Sequence, residues 1–126
     1  MISIEIKTRN RNEIVDITEK VEEFLKGSGI ALIFTPHTTA SVILNEAESR
    51  LLSDIINVLE KLVPKNLDYK HNEIDDNADA HIKASLLGNS VIVPFENGKL
   101  QLGTWQRILF VEFDGPRNRR VYVKVL

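Results

Sequence analysis

Hydrophobic and polar residues alternate along ISIEIKT, where Ile2, Ile4 and Ile6 keep the two-residue period of a strand with one buried face. The period lengthens in VDITEKVEEFLKGSG. There Val21, Phe24 and Leu25 fall on one side of a short amphipathic helix, with Asp16 or Thr18 as its N-cap and Gly27 as its stop. IALIFT, residues 30–35, is a continuous apolar run of β-favouring residues and predicts a central strand covered on both faces. Pro36, lacking an amide hydrogen, should end or bend it and leave His37 at a strand end.

Thr38–Leu44 predicts another strand. Beyond it Leu51, Leu52, Ile55, Leu59 and Leu62 recur at three and four residues, the strongest helical pattern in the chain; Asn45 and Glu48 stand in capping-box spacing before it and Pro64 closes it. KNLDYKHNEIDD, residues 65–76, has no period and reads as a loop carrying His71, Glu73, Asp75 and Asp76. NADAHIKASLLG predicts a short helix capped by Asn77 or a nearby Asp, with Ile82 and Leu86 on one face, His81 and Ser85 sharing a face, and Gly88 as stop. The last third is β: VIVPF and KLQLGTW flank a tight hairpin turn at Asn97-Gly98, and RILFVEF passes through the turn DGPRNRR into the alternating VYVKVL. The elements predict an α+β fold in a single domain, residues 1–126, with a largely antiparallel sheet or sandwich and two to three helices.

Composition narrows the chemistry. At 126 residues and 43% apolar content the chain suits one ordinary core. Sixteen basic against eighteen acidic residues give a net charge of −2, without the basic excess needed to neutralise nucleic-acid phosphates, so no nucleic-acid partner is expected. The absence of cysteine excludes disulfides, zinc–thiolate sites and thiol nucleophiles, and leaves His, Asp and Glu as the strong metal ligands. MISIEIKTRNRNE has no apolar signal core and no apolar run is long enough to span a bilayer; a cytoplasmic protein without a membrane partner is expected.

The candidate chemistry begins with three histidines, His37, His71 and His81, each near other polar groups. Imidazoles bind divalent metals or move protons near neutral pH, and nearby carboxylates can complete a metal shell or orient the rings; no local zinc spacing is present, so a shared site would need tertiary convergence. Taken singly, each histidine is more often a surface or hydrogen-bonded structural residue. Thr38, Thr39 and Ser41 can donate to phosphate or simply favour β structure and turns. Glu46 is either a ligand or a favourable charge at a helix start. In GTWQR, Trp105 is a stacking platform, a core residue or an interface residue, beside Gln106 and a Gly103 that permits close approach. Arg117, in the basic cluster with Arg119 and Arg120, could clamp phosphate or be solvated.

HTTASVILNE, AHIKASLLGNSVIVP, GKLQLGTWQRI and DGPRNRRVYV, in that order from about residue 30 to the C-terminus, resemble the YjbQ family of secondary thiamine-phosphate synthases. The resemblance implies a compact α+β domain assembled as a homotrimer, with His37, His71 and His81 at motif positions of one site and Glu46, Asp79, Trp105, Gln106 and Arg117 within motifs. The implied reaction condenses hydroxymethylpyrimidine diphosphate with thiazole phosphate and releases pyrophosphate. On that reading His37, His71, His81 and Glu46 are catalytic, and the histidines hold a divalent metal (Zn or Mg) or phosphate. Thr38, Thr39, Ser41, Trp105, Gln106 and Arg117 bind the small phosphorylated substrate. A metal-dependent hydrolase of a phosphorylated small molecule and a non-enzymatic trimeric anion-binding protein are the alternatives.

Overall fold

The computed structural model describes all residues, Met1–Leu126. The alternating segments pair into two antiparallel sheets. In the larger, β1 (Ile2–Lys7), β8 (Asn118–Val125), β3 (Gly29–Phe34), β5 (Ser90–Glu96) and β6 (Lys99–Leu100) lie side by side in that order. In the smaller, β7 (Arg107–Glu112) lies between β2 (Glu13–Asp16) and β4 (Ala40–Asn45). The inner faces pack on each other: Ile4 and Ile6, Ala31 and Ile33, Val93 and Phe95, and Val121 and Val123 meet Ala40, Val42, Ile108 and Phe110. The other face of the smaller sheet is covered by α2 (Ser49–Leu62) and α3 (Ala78–Leu87), where Leu59, Ala80 and Ala84 surround Val111 and Phe113. The single α+β domain with three helices is therefore as predicted.

The element with two covered faces is β7, not β3. Ile108 through Glu112 are all buried, one side against the larger sheet and the other under the helices. In β3 only alternate residues, Ala31 and Ile33, reach the core, and Ile30 is 44% exposed on the outer face. A run of apolar residues does not say what covers it, and here the outer half of the run faces away from the core.

Other departures are local. Glu13–Asp16 forms the short strand β2, so the first helix, α1 (Thr18–Glu22), is only one turn and Phe24 stays 44% exposed beyond it. Asp16 accepts from the Thr18 amide and hydroxyl. The reciprocal capping box before α2 does not form. Asn45 ends β4 and accepts from the Glu46 amide, while the Glu48 carboxylate itself caps the helix by accepting from Arg50 and Leu51 N–H. Lys70–Glu73 makes a single 3₁₀ turn inside the predicted loop. Ile82 and Leu86 of α3 point outward, 40% and 62% exposed, and the helix buries Asp79, Ala80, Lys83 and Ala84 instead. The Asn97-Gly98 hairpin is as expected, with φ of 50° and 76°.

A buried ion pair joins the two sheets. Arg119 of β8 grips Glu112 of β7, Nε to Oε1 at 2.8 Å and Nη2 to Oε2, and Nη2 also donates to Thr39 Oγ1 at 2.8 Å. Thr8 Oγ1 and the amides of Phe113 and Asp114 donate to the same carboxylate. Removing one member of such a pair leaves the other charge buried without its counter-charge. Arg119→Ala should therefore lower the unfolding free energy in urea by about 3 to 5 kcal/mol, whereas Arg50→Ala, on the exposed surface, should leave the midpoint almost unchanged. Equal shifts for the two variants would mean that the pair does not hold the sheets together.

Candidate functional site

His37 is placed by the residue before it. β3 stops pairing with β8 at Phe34 opposite Tyr122, and Pro36 cannot continue the ladder. The amide of Arg120, two residues before Tyr122 in β8, would then face no strand on the β3 side. The His37 ring turns back to it, and Arg120 N–H donates to His37 Nε2 at 2.9 Å. Thr35 Oγ1 donates to the Arg120 carbonyl at 3.1 Å, so one side chain on each flank of Pro36 serves the backbone of the same β8 residue.

The ring lines a cleft of about 550 Å³ between the β3–β4 connection and α3. His81 and Ser85 line it from the helix, Thr38 and Asn89 from the loops. The Ser85 hydroxyl donates to the His81 carbonyl at 2.9 Å, a back-bond within the helix. His81 also lines an adjoining recess of about 590 Å³ with His71, Tyr69 and Ile82, and the His71 and His81 rings meet edge to face with centroids 4.8 Å apart. The structure thus brings His81 between His37 on one side and His71 on the other.

The remaining predicted residues divide. Thr38 is exposed at the cleft, but Thr39 and Ser41 are buried and occupied: Thr39 accepts from Arg119, and Ser41 Oγ donates to the Ala84 carbonyl at 3.2 Å. Both are buried and neither lines the cleft, so their expected role as ligands is corrected to a structural one. Glu46 and Trp105 share a different recess of about 360 Å³ with Arg107, away from the histidines; Trp105 is 71% exposed. Gln106 folds its carbonyl oxygen onto the Gly103 amide at 2.9 Å, so the close approach anticipated at Gly103 is made by its own loop. Arg117 spends Nε and Nη2 on Asp114, at 2.9 and 3.1 Å, while half-exposed.

A three-histidine metal shell does not fit the residues of one chain. No three His, Asp or Glu side chains are placed to share an ion, and His37 commits its Nε2 lone pair to Arg120 N–H. A metal ligand needs that lone pair.

Asn77 and Asp114 were not legible as site residues. Asn77 stands at the N-cap of α3 but does not cap it; Asn72 Oδ1 accepts from the Ala78 amide at 3.0 Å instead. The Asn77 side chain spans from His71 Nε2, 3.1 Å from Oδ1, to Asp114 Oδ2, which accepts from Nδ2 at 2.8 Å. The one signal in sequence was a polar residue at a helix start, which capping explains equally well.

The family model for UPF0047 proteins of the YjbQ-like kind matches residues 2–126. A UPF0047 protein of Archaeoglobus fulgidus is 58% identical over 126 residues, covering 99% of this chain and 100% of that protein. The crystal structure of a conserved YjbQ/UPF0047 family protein from Clostridium acetobutylicum superposes with a TM-score of 0.94 at 47% identity over 100% of both chains. The crystal structure of APE1520 from Aeropyrum pernix K1 gives 0.94 at 45% identity, over 98% of this chain and 96% of the other. These names give a family or a locus and no reaction.

Burial holds the proton affinity of His37 below its ordinary value of 6.5, helped by the charges of Arg119, Arg117 and Arg120 and opposed by Glu112. Between the folded and unfolded values the folded chain binds fewer protons at this ring. The stability this gives is complete above the unfolded value and is lost as pH falls through the folded one. From about pH 7.5 to about pH 5 the melting midpoint should therefore fall less in His37→Gln than in the wild type. Parallel falls would show that His37 does not contribute to the acid sensitivity of the fold.

Proposed function

This chain belongs to the YjbQ-like UPF0047 family, and from that premise we propose that its histidine cleft receives a small phosphorylated molecule in a reaction of the thiamine-phosphate synthase type, as a secondary activity. One observation carries the reading: His37 and His81 line one cleft, and His71 lies ring to ring beside His81. Imidazoles donate to phosphate oxygens when they carry a proton and accept protons when they do not. The cleft volume of about 550 Å³ lies in the range of small-molecule sites. The arginine charges that depress His37 also favour an anion there.

In the condensation the thiazole nitrogen attacks the methylene carbon of hydroxymethylpyrimidine diphosphate. The new C–N bond forms as the C–O bond to the diphosphate breaks, and pyrophosphate leaves with the electron pair. The demand on the protein is to hold the two reactants together and to stabilise charge on the departing oxygens. Thr38 and His37 offer hydrogen-bonding groups to that charge, and Arg117 contributes its field.

Incubation of the protein with hydroxymethylpyrimidine diphosphate, with and without thiazole phosphate, tests the reading. Thiamine phosphate and pyrophosphate should appear together only when both substrates are present, and His81→Ala should slow their formation by about 100-fold. Phosphate release that ignores the thiazole would replace the proposal with a hydrolase, and binding without turnover would replace it with an anion-binding protein.

The same reading includes a homotrimer, for which the outer face of the larger sheet is the supporting feature. Leu32 lies opposite Ile92 and Phe34 stacks on Tyr122 at 6.1 Å; Ile30 and Ile92 are 44% and 60% exposed. An apolar face of this kind is what a subunit contact covers. Light scattering should give three times the 14.3 kDa chain mass, and Ile92→Asp should reduce it; a monomeric wild type would remove the trimer from the proposal.

A further inference from the structure

We propose that His37 and His71 are held in opposite tautomers, which divides their work: His37 is a neutral Nδ1–H hydrogen-bond donor, and His71 keeps Nε2–H and offers its lone pair at Nδ1. The assignment deepens the proposed function, since it says how each ring would meet a phosphorylated ligand.

For His37 the argument rests on a group that cannot change roles. A backbone N–H only donates, so the Nε2 that receives Arg120 N–H at 2.9 Å must carry a lone pair. The proton of the neutral ring is then on Nδ1. That nitrogen is the polar atom His37 has left for the cleft, and it can donate to a ligand oxygen but cannot take a proton. Gaining a second proton would set Nε2–H against Arg120 N–H and break the bond that replaces the missing β3 partner.

For His71 the same logic runs through two links. The Asp114 carboxylate accepts from Arg117, so the Asn77 atom 2.8 Å from it is the amide nitrogen. The amide oxygen is then turned to His71, and the ring nitrogen 3.1 Å away must donate. Reversing the amide would put oxygen against carboxylate. Asn77 is 6% exposed, so water does not offer a substitute partner. Asn77 is thus a positioning residue for His71, and Asp114 fixes the direction of Asn77. A base oriented by one polar side chain that is itself oriented by another is the arrangement that activates histidine for proton transfer. Of the two rings, His71 is the one equipped to accept a proton and His37 the one equipped to hold an anion.

Long-range ¹H–¹⁵N correlation spectra of the imidazoles at about pH 8, well above the ordinary imidazole value, read both tautomers directly. His37 should show a protonated Nδ1 and a bare Nε2, and His71 the reverse. In Asp114→Asn, where residue 114 gains a donor and the Asn77 amide is free to turn, the His71 signals should move toward a mixture of tautomers while those of His37 stay in place. Inorganic pyrophosphate titrated by calorimetry supplies the second readout. His37→Ala should weaken its binding by about tenfold, and His37→Gln, which retains one acceptor and one donor but no titratable group, should recover most of that loss. A protonated Nε2 on His37, a bare Nε2 on His71, or equal weakening in the Gln and Ala variants would overturn the inference. If pyrophosphate fails to bind the wild type, the proposed ligand class falls, and the spectra still decide the tautomers.

Discussion

Glu112 is fully buried and Arg119 nearly so, and neither charge could stay in the interior alone. Each lone pair of the carboxylate is used. One oxygen takes Thr8 Oγ1 and Arg119 Nε; the other takes Arg119 and the amides of Phe113 and Asp114. These donors come from the end of β1, the start of β8 and the turn after β7, and Arg119 reaches on to Thr39 before β4. The two sheets share no ladder, so this cluster supplies the directional bonds between them that hydrophobic packing cannot. The turn is equally constrained at Gly115. A Cβ there would lie 2.2 Å from the Asn10 carbonyl oxygen and 2.9 Å from both Thr8 Oγ1 and Glu112 Cγ.

The candidate site inherits its geometry from that cluster. Arg119 fixes β8 beside Arg120, whose amide fixes His37, and Asp114, whose own amide is bound by Glu112, fixes Asn77 and through it His71. Two histidines from separate loops are thereby referred to one rigid reference. Loop residues are ordinarily mobile; these are tied by bonds to strand ends. A structural and a ligand-binding reading of His37 are therefore compatible, because the bond to Arg120 uses one nitrogen and leaves the other.

Elements whose identity depends on local periodicity were legible: the β1 strand with its alternating Ile residues, the α2 helix and the Asn97-Gly98 turn all formed as their patterns require, although Leu62 at the end of α2 stays 68% exposed. What faced what was less legible. IALIFT and RILFVEF look alike as apolar runs, yet only the second lies between two layers, and nothing local distinguishes them. The histidines were visible because their chemistry is rare in this chain. Asn77 and Asp114 were not, because their function lies in a bond between residues 37 positions apart. Thr39 and Ser41 misled for the converse reason: hydroxyls beside a histidine look like phosphate donors until burial assigns them to Arg119 and Ala84.

The orientation of α3 shows why burial cannot be read from hydropathy alone. Turning Ile82 and Leu86 inward would remove apolar surface from water, worth up to about 1.5 to 3 kcal/mol for each side chain. The helix instead buries Asp79 and Lys83, one turn apart, with Ala80 and Ala84. Two features oppose the apolar alternative. The helix backbone lies close enough to β4 for Ser41 to donate to the Ala84 carbonyl, a separation that small side chains allow and an isoleucine would prevent. The charges are also fully answered: Arg11 grips both oxygens of Asp79, and Lys83 Nζ reaches Asp79 at 2.9 Å and Glu60 at 2.7 Å. Two cations against two carboxylates leave no net charge inside, so the usual cost of burying either sign is largely offset. The consequence falls on the site. With Lys83 inward, His81 and Ser85 turn to the cleft and Ile82 to the recess beside His71, which gives that recess an apolar wall next to its imidazoles. An apolar wall with a few fixed polar groups is the composition that orients a small ligand, and here it follows from an ion pair on the opposite side of the helix.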